Sequence, residues 1–381
     1  FYAYGISVDL ITDCSSAGLI RVAGLKEVEE LGDIPFKEKA KKLFVRYVAM
    51  GSLWKMDNMF QLSVELYDTK DKKIVWSDRW QEKWDNLQTI KGSLSDGLLK
   101  ALDTTSKIEK KVETTNTEAY EYYLKGKYKY EKRTNTEDIE ISRGLLNKAI
   151  KLDDNLIMAN VLLGWTYIDS GDDYKAIEIL TPALKKAEEI GDKHGLGFTI
   201  NAIGVTHDSK GEYNKALDYY ERSLKIGEEI GDNLRIAGSL NNIGSIYFTK
   251  GDYDKALDYL ERSQKKFDEI GDQGNTFMGW LFYFMGDYKR ALDYFTSTLK
   301  EKEKIGDKNE IGRAWCGFGI IYLHKGNYKT AKEYLEKSLS IAKELDRGYR
   351  ALLIRTILVF LCYKKIGKEY NVVEIQTLIK K

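Results

Sequence analysis

From about residue 116 onward, apolar residues recur at the three- and four-residue spacing of amphipathic helices. The helical runs come in pairs that are separated by short glycine turns. The clearest two pairs read IGVTHDSKGEYNKALDYYERSL from Ile203 and IGSIYFTKGDYDKALDYLERSQ from Ile243. The second run of a pair places small and apolar residues on one face, as Ala216, Leu217 and Tyr220 do. This pattern predicts antiparallel helical hairpins over most of the chain.

The tetrapeptide Glu-Ile-Gly-Asp gives these hairpins a period. It occupies residues 189–192, 229–232 and 269–272, and residues 304–307 repeat it with one change. A period near forty residues, without strand-like alternation inside it, predicts stacked helical hairpins. Aligned on the recurrent glycine, the units cover residues 116–155, 156–195, 196–235, 236–275, 276–310 and 311–350, and a half-unit covers 351–381.

Each unit places glycines at two kinds of position. The first helix carries a mid-helix glycine, at Gly164, Gly204, Gly244, Gly279 and Gly319. A mid-helix glycine costs about 1 kcal/mol relative to alanine, so its recurrence indicates that the partner helix crosses closely there. The glycine of Ile-Gly-Asp ends the second helix in a left-handed conformation, and the following Asp caps the next first helix.

Unit 276–310 is five residues shorter than its neighbours, which corresponds to about 7.5 Å of helix. Two interpretations are open. The deletion is tolerated because neighbouring side chains cover the gap, or it leaves a notch in the inner wall of the array.

The first hundred residues do not repeat and predict a small α+β domain. Polar turn clusters separate runs with strand-like alternation. Predicted strands are Leu19–Val22, Val45–Trp54, Phe60–Tyr67 and Lys73–Trp80; predicted helices are Asp9–Cys14, Phe36–Phe44 and Leu87–Leu102.

Net charge, the longest apolar run and cysteine usage indicate which partners and which compartment to expect. The 60 basic residues nearly balance the 59 acidic ones, so a net charge of +1 gives no reason to expect nucleic acid or a membrane surface. The longest apolar run, Ala351–Tyr363, contains Arg355 and is too short to span a bilayer. The three cysteines, which show no disulfide or metal spacing, indicate a reducing, cytoplasmic compartment.

The repeat pattern resembles the tetratricopeptide repeat over residues 116–381. The shared features are the small eighth residue, the aromatic residue three later (Tyr167, Tyr247 and Tyr322), the turn glycine, the Ala-Leu pair and Trp315. Gly-Asp stands where the family usually has a closing proline. The units are therefore similar to the forty-residue variants of kinesin light chains, Pins-type adaptors and Rap-type peptide sensors. The resemblance implies a mainly α fold, a superhelix of helical hairpins preceded by the small α+β domain.

Residues 1–105 resemble the TolB-amino-terminal-like domain. The resemblance lies in FYAYGISVDLITD at the start, in Tyr47–Gly51, and in Trp76 with the aromatic and charged stretch after it. Such domains commonly precede tetratricopeptide arrays in bacterial signalling proteins, behind a cyclase, kinase or DNA-binding domain. The family's first strand would lie before Phe1, which leaves a sheet edge through which a homodimer could form. Tyr4 replaces a usual acidic residue, which weakens any site inferred there.

The chain shows no catalytic constellation, so we expect no enzyme activity unless a catalytic domain precedes Phe1, where the chain opens without an initiator Met. No phosphate loop is present, and Gly195-Leu196-Gly197 is too short for a dinucleotide fingerprint. His207 occupies the aromatic position of its unit, which favours a packed histidine. Cys316 and His324 lie two turns apart on one helix, too far to share a metal ion. We therefore predict no catalytic, cofactor or metal-binding residues.

The tetratricopeptide resemblance implies a groove lined by first helices that binds a protein or peptide partner. The groove-facing positions are Trp165, Phe198, Asn201, Asn241, Asn242, Phe248, Trp280, Tyr283 and His324. The asparagines either bind a peptide backbone, since an amide both donates and accepts, or they hydrogen-bond between helices of the array. The aromatic residues are either anchor residues for a partner or core residues.

Three hypotheses about function remain. The chain is a scaffold that binds a partner protein, a sensor that changes curvature on binding a short peptide, or the regulatory part of an adenylate or guanylate cyclase or a kinase. Each places it in a bacterial signalling protein.

Overall fold

A computed structural model describes residues 2–16, 23, 28–29, 31–43, 45–103, 114, 116–133, 135–270, 277–305, 308–344 and 349–368. The chain divides into two compact units, which are described separately. Unit 1 comprises residues 1–25 and 35–272, and unit 2 comprises residues 26–34 and 273–381. The strand predicted at Leu19–Val22 lies outside the described residues.

Unit 1 begins with a small antiparallel sheet. Helices α1 (Tyr2–Ser16) and α2 (Phe36–Lys42) precede strands β1 (Tyr47–Met56), β2 (Met59–Asp68) and β3 (Lys73–Lys83), and α3 (Leu87–Ala101) follows them. The strand order is β1-β2-β3, as the three predicted strand runs required. Alternate residues of β2 are buried, from Phe60 to Leu66, because one face of the sheet packs on the core. Within the described part of the chain β2 is the strand partner of β1, and a homodimer through this edge stays a prediction.

Helical hairpins make up the rest of unit 1. They are α4 (Thr117–Glu131) with α5 (Thr136–Leu152), α6 (Ile157–Asp169) with α7 (Asp173–Ile190), α8 (Lys193–Ser209) with α9 (Tyr213–Ile230), and α10 (Asn233–Thr249) with α11 (Tyr253–Ile270). The fold class predicted from the sequence, a mainly α hairpin superhelix behind a small sheet, is confirmed.

Unit 2 is also built of helical hairpins. Its helices are α12 (Phe277–Phe284) with α13 (Tyr288–Ile305), α14 (Lys308–His324) with α15 (Tyr328–Glu344), and α16 (Tyr349–Lys365). Helix α12 has 8 residues where α10 and α14 have 17. Residues 271–276 before it lie outside the described part, so the choice between a covered deletion and a notch stays open. None of the described helices combines the length and apolar composition of a membrane-spanning segment.

One packing register recurs at every hairpin from α6 to α15. A Cβ added to Gly204 would lie 2.8 Å from the Tyr220 ring, and one added to Gly244 would lie 2.7 Å from Leu260 Cγ. The large residue always follows the glycine by sixteen positions, at Leu180, Tyr220, Leu260, Phe295 and Leu335. The close helix crossing predicted from the glycines is therefore confirmed.

The Gly-Asp pairs at residues 191–192 and 231–232 link successive hairpins as predicted, while residues 271–272 and 306–307 lie outside the described part of the chain. Gly191 and Gly231 have φ angles of 67° and 71°, which a residue with a Cβ rarely adopts. The side chain of Asp192 accepts a hydrogen bond of 2.9 Å from the backbone N–H of Gly195. Asp232 does the same for Arg235 at 3.0 Å. Each pair thus ends one helix and caps the next.

The sheet and the first hairpins share one hydrophobic core. Phe60, Trp84 and Leu94 belong to the same buried cluster as Tyr120 and Leu163. The predicted boundary between residues 105 and 116 therefore does not separate two cores, and the domain limits 1–105 and 116–381 stay a prediction.

Candidate functional site

The first helices of the hairpins form the inner wall of unit 1. Helix α4 contacts α6, α6 contacts α8, and α8 contacts α10, whereas the described second helices do not pack on one another to a comparable extent. Helices that approach each other closely lie on the inside of a curved stack. We define the inner wall as α4, α6, α8 and α10.

Helix α1 lies against this inner wall. It contacts α4, the first helix of the first hairpin, and α10, the first helix of the fourth, and it also contacts α3 and β1. Ile6 is 5% exposed within the main core, and Cys14 in the last turn is 7% exposed. The sequence predicts a helix only over Asp9–Cys14 and gives no indication of this docking. The inner wall of unit 1 therefore already carries a helix of the same chain.

A cluster of charged groups ties α1 to β1 and α4. Lys125 donates to Glu121 at 2.7 Å and Lys55 donates to it at 3.2 Å, and the Tyr2 hydroxyl donates to the same carboxylate. Burial by itself raises the pKa of Glu121, but these three hydrogen bonds outweigh it and hold the pKa at about 2. The Lys55 ammonium also lies 4.3 Å from the ring centroid of Trp84. The carboxylate is thus charged at neutral pH and accepts from both α1 and β1.

Two of the predicted groove asparagines are brought together. Asn242 Nδ2 donates to Asn201 Oδ1 at 3.1 Å, which links α10 to α8. Both side chains are half-buried. This is the inter-helix hydrogen bond that the sequence left as one alternative. The bond uses one donor and one acceptor of the pair, so the Asn201 amide nitrogen and the Asn242 amide oxygen retain hydrogen-bonding capacity. Asn241, the neighbouring position, is also half-buried.

Phe198 lies beside a buried arginine that the sequence analysis missed. The guanidinium of Arg235 lies 4.4 Å from the Phe198 ring centroid. Its Nε is 3.4 Å from Asp232 Oδ2 and makes no hydrogen bond, while Nη2 donates to the His194 carbonyl at 3.3 Å. Burial lowers the pKa of Arg235, and the nearby Asp232 carboxylate opposes that effect.

Gly197 explains how this arginine fits. A Cβ on Gly197 would lie 2.5 Å from Arg235 Nη1, so the glycine opens the space that the guanidinium fills. A helical glycine outside the crossing register was the available signal, because it indicates that something bulky packs on that spot. The arginine joins α8 to α10 on the same two helices that carry the asparagine pair.

The other two predicted residues of unit 1 are half-buried aromatics. Trp165 packs against buried residues of α6, α7 and α8, including Ile203 and Ala187. Phe248 lies with its ring centroid 5.7 Å from that of Tyr253. Trp165 is thus in contact with core residues, which is one of the alternatives that the sequence left open for the aromatics.

In unit 2 the three predicted residues form a chain of rings. Ring centroids are 6.1 Å apart for Trp280 and Tyr283 and 6.3 Å apart for Tyr283 and His324. Tyr288 completes the group, 5.1 Å from His324. Trp280 also packs edge-on against the buried Phe295 at 5.4 Å. His324 itself is exposed at the end of α14.

No acid–base or metal chemistry emerges from the described residues. They contain no group of three His, Cys, Asp or Glu side chains placed to hold a metal ion. His207 stacks on Tyr219 at 5.3 Å and pairs with Glu212 at 2.9 Å, so it is packed between neighbours. Burial raises the pKa of the Cys316 and Cys362 thiols, which keeps them protonated and unreactive.

Comparisons with known proteins agree with the hairpin architecture. A family model described as "Tetratricopeptide repeat" matches residues 155–229, 201–269, 235–304 and 272–344. Among solved structures, the fold is similar to the APC/C hetero-tetramer Cut9–Hcn1, with 17% identity, a TM-score of 0.51, and coverage of 64% of this chain and 43% of that one. It is also similar to a Rap protein complexed with Competence and Sporulation Factor, with 15% identity, a TM-score of 0.48, and coverage of 67% and 77%.

A curated relative carries the name "Putative adenylate cyclase 3" and comes from Rhizobium meliloti (strain 1021). It is 22% identical over 205 residues, which are 51% of this chain. The matched part is 35% of the relative, so the chain spans about a third of that protein's length. The resemblance of residues 1–105 to the TolB-amino-terminal-like domain stays a prediction.

Proposed function

Because residues 155–344 consist of tetratricopeptide repeats, we propose that this chain is a protein-interaction module that binds a protein or peptide segment on the inner wall of unit 1. The repeat fold is typically non-catalytic, and the described residues contain no catalytic constellation. The observation that carries the proposal is that the inner wall already binds a helix, α1. A surface that accommodates one helix of this chain has the shape and chemistry to accommodate a partner segment.

The Asn201–Asn242 pair supports recognition of a peptide backbone. Its two amides leave a donor on one side chain and an acceptor on the other, which are the groups that a backbone C=O and N–H require. Phe198 and the Arg235 guanidinium lie on the same two helices. The wall at α8 and α10 therefore combines an amide pair with an aromatic face.

The experiment is quantitative affinity capture from the native host with the full chain and with Asn201→Ala/Asn242→Ala. The amount of captured partner should fall at least tenfold in the double variant, while the far-ultraviolet circular dichroism spectrum stays unchanged. Tyr174→Ala, at a residue 81% exposed on α7, is the matched control and should capture as the unmodified chain does. Equal capture by the double variant would contradict the assignment to α8 and α10. Trp280→Ala is a poorer probe because Trp280 packs on Phe295.

The relative named as an adenylate cyclase favours a second candidate, a regulatory part of a bacterial nucleotide cyclase in the cytoplasm. In that case the module would transmit partner binding to a catalytic domain that precedes Phe1. Reading the gene upstream of the codon for Phe1 tests this directly. A cyclase domain in the same reading frame would support it, and a start codon directly at this point would exclude it.

A further inference from the structure

At its N-terminal end, helix α1 contacts the inner wall through half-buried tyrosine side chains. The Tyr2 hydroxyl donates to Glu121, and the Tyr4 ring meets the Tyr128 ring edge-on at 5.3 Å. The Lys132 ammonium lies 4.9 Å from the Tyr4 centroid. Both α1 tyrosines are only half-buried. These are the aromatic and charge-assisted contacts that occur at binding interfaces.

The contacts of the hairpins with each other are of a different kind. In each hairpin from α6 to α15, a mid-helix glycine of the first helix packs against a buried Leu, Phe or Tyr of the second helix. At Tyr4, by contrast, α1 meets the Tyr128 ring edge-on and the Lys132 ammonium, and Ile6, two residues further on, is buried in the main core. The glycine crossings that hold each hairpin together do not involve α1, so they would persist if α1 left the inner wall and exposed Ile6.

The position of α1 is that of a groove ligand. A helix of 15 residues is about 22 Å long, and α1 reaches from α4 to α10 across the inner wall. Helices α8 and α10 of the same wall carry the asparagine pair, and Arg235 lies on α10. A partner segment on the same wall would have to share it with α1 or replace it.

We propose that α1 is an internal ligand of the inner wall, and that the partner is a helical segment of similar chemistry that displaces it. Such a segment presents two tyrosines at i and i+2 to Glu121, Tyr128 and Lys132, followed by an apolar face. This inference rests on the proposed function, because it concerns the same surface. It names the class of partner and adds that binding is in competition with α1.

Cys14 provides a reporter in the unmodified chain. It lies on α1 and is 7% exposed, while Cys316 and Cys362 are buried in unit 2 and serve as internal standards. The full chain is treated with iodoacetamide, and modification at each cysteine is followed by mass spectrometry. The probe is a synthetic peptide of residues 2–16 with Cys14→Ser, in excess. We expect the peptide to accelerate alkylation of Cys14 at least tenfold without affecting Cys316 or Cys362.

A variant gives the complementary measurement. Tyr4→Ala in the full chain removes the contacts with Tyr128 and Lys132 from the α1 side and leaves the wall intact. The fluorescein-labelled peptide should bind this variant at least tenfold more tightly than the unmodified chain in an anisotropy titration. Tyr174→Ala is the control and should bind the peptide as the unmodified chain does. If Tyr4→Ala unfolds and exposes all three cysteines, Lys132→Ala takes its place and should accelerate alkylation of Cys14 alone.

The proposal is overturned if the peptide leaves Cys14 alkylation unchanged and the folded variant neither binds the peptide nor exposes Cys14. In that case α1 is a fixed part of unit 1. These measurements use no cellular partner, so they can succeed while affinity capture fails. Exchange of α1 without any captured partner would contradict the proposed function and leave the internal ligand standing.

Discussion

The first helices of unit 1 and those of unit 2 share a packing scaffold but present different chemistry. In both units the mid-helix glycine receives a large residue sixteen positions later, as Gly204 receives Tyr220 and Gly319 receives Leu335. The inner wall of unit 1 includes polar and charged contacts beside its aromatic residues, with Glu121 bound by two lysines and Asn201 bound to Asn242.

The corresponding first helices of unit 2, α12 and α14, carry a cluster of rings that Tyr288 at the start of α13 completes. Trp280, Tyr283, Tyr288 and His324 form one group with ring centroids 5.1 to 6.3 Å apart. Positions that hold the array together are therefore filled alike in both units, and positions that face away from the helix crossing are filled differently. The proposed function assigns partner binding to the second kind of position, and the two kinds should respond differently to substitution.

The largest effect should come from the shared scaffold. Phe295→Ala removes a fully buried ring that packs against Gly279 and Trp280, and it should lower the free energy of unfolding by about 3–5 kcal/mol. Leu180→Ala, in the same register of unit 1, should cost about 2–5 kcal/mol. Urea titrations followed by circular dichroism measure both.

Phe284→Ala is the matched control for the first substitution. Phe284 is 52% exposed on the short helix α12, so its loss should change stability by less than about 0.5 kcal/mol. A small effect of Leu180→Ala beside a large effect of Phe295→Ala would break the comparison, since the two units would then not share a scaffold.

A smaller effect should mark the charged wall of unit 1. Asp232→Ala removes a helix cap and the carboxylate beside the buried Arg235, whose side chain is 4% exposed. Loss of one partner of a buried ion pair is strongly destabilising, and we expect a cost of about 3 kcal/mol. Thermal and urea unfolding measure it.

Asp172→Ala isolates the capping part of that cost. Asp172 caps α7 through Lys175 N–H at 3.0 Å in an exposed setting, so its loss should cost about 1 kcal/mol. Equal costs for Asp232→Ala and Asp172→Ala would show that the buried guanidinium does not depend on Asp232.

The fold could be predicted from the sequence because its determinants are local and repeated. The period of Glu-Ile-Gly-Asp, the crossing glycines and the capping aspartates each act within one or two helices. The crossing glycines and the Gly-Asp pairs at 191–192 and 231–232 appear in the structure where expected. The three strand runs lie between turn clusters, and their alternation matches the buried face of β2.

The docking of α1 could not be predicted in the same way. Its apolar and aromatic residues indicate that it has a face to bury, but the surface that covers this face is more than a hundred residues away, at Glu121, Tyr128 and α10. The asparagines were ambiguous for a related reason. An amide at Asn201 serves a peptide or a neighbouring helix equally well, and only the three-dimensional placement of Asn242 shows the second use.

The smallest effect should be the pH dependence that Glu121 gives to unit 1. The folded pKa of Glu121 is about 2, below its ordinary value of 4.5, because Lys125, Tyr2 and Lys55 stabilise the carboxylate against the effect of burial. Its contribution to stability is therefore present above about pH 4.5 and is lost as the pH falls toward 2. We expect it to be about 1–2 kcal/mol at neutral pH, after solvent screening is allowed for.

Glu121→Gln should flatten the loss of stability between pH 4.5 and pH 2.5, measured as the free energy of unfolding in urea at a series of pH values. Tyr2→Phe keeps the ring on α1 and removes only one of the three donors to Glu121. Its loss of unfolding free energy between pH 4.5 and pH 2.5 should therefore lie between that of Glu121→Gln and that of the unmodified chain. If the plots of unfolding free energy against pH are parallel for all three proteins, the hydrogen bonds to Glu121 do not stabilise the contact between α1 and α4. The docked helix would then depend on the edge-on pair of Tyr4 with Tyr128 and on its apolar contacts.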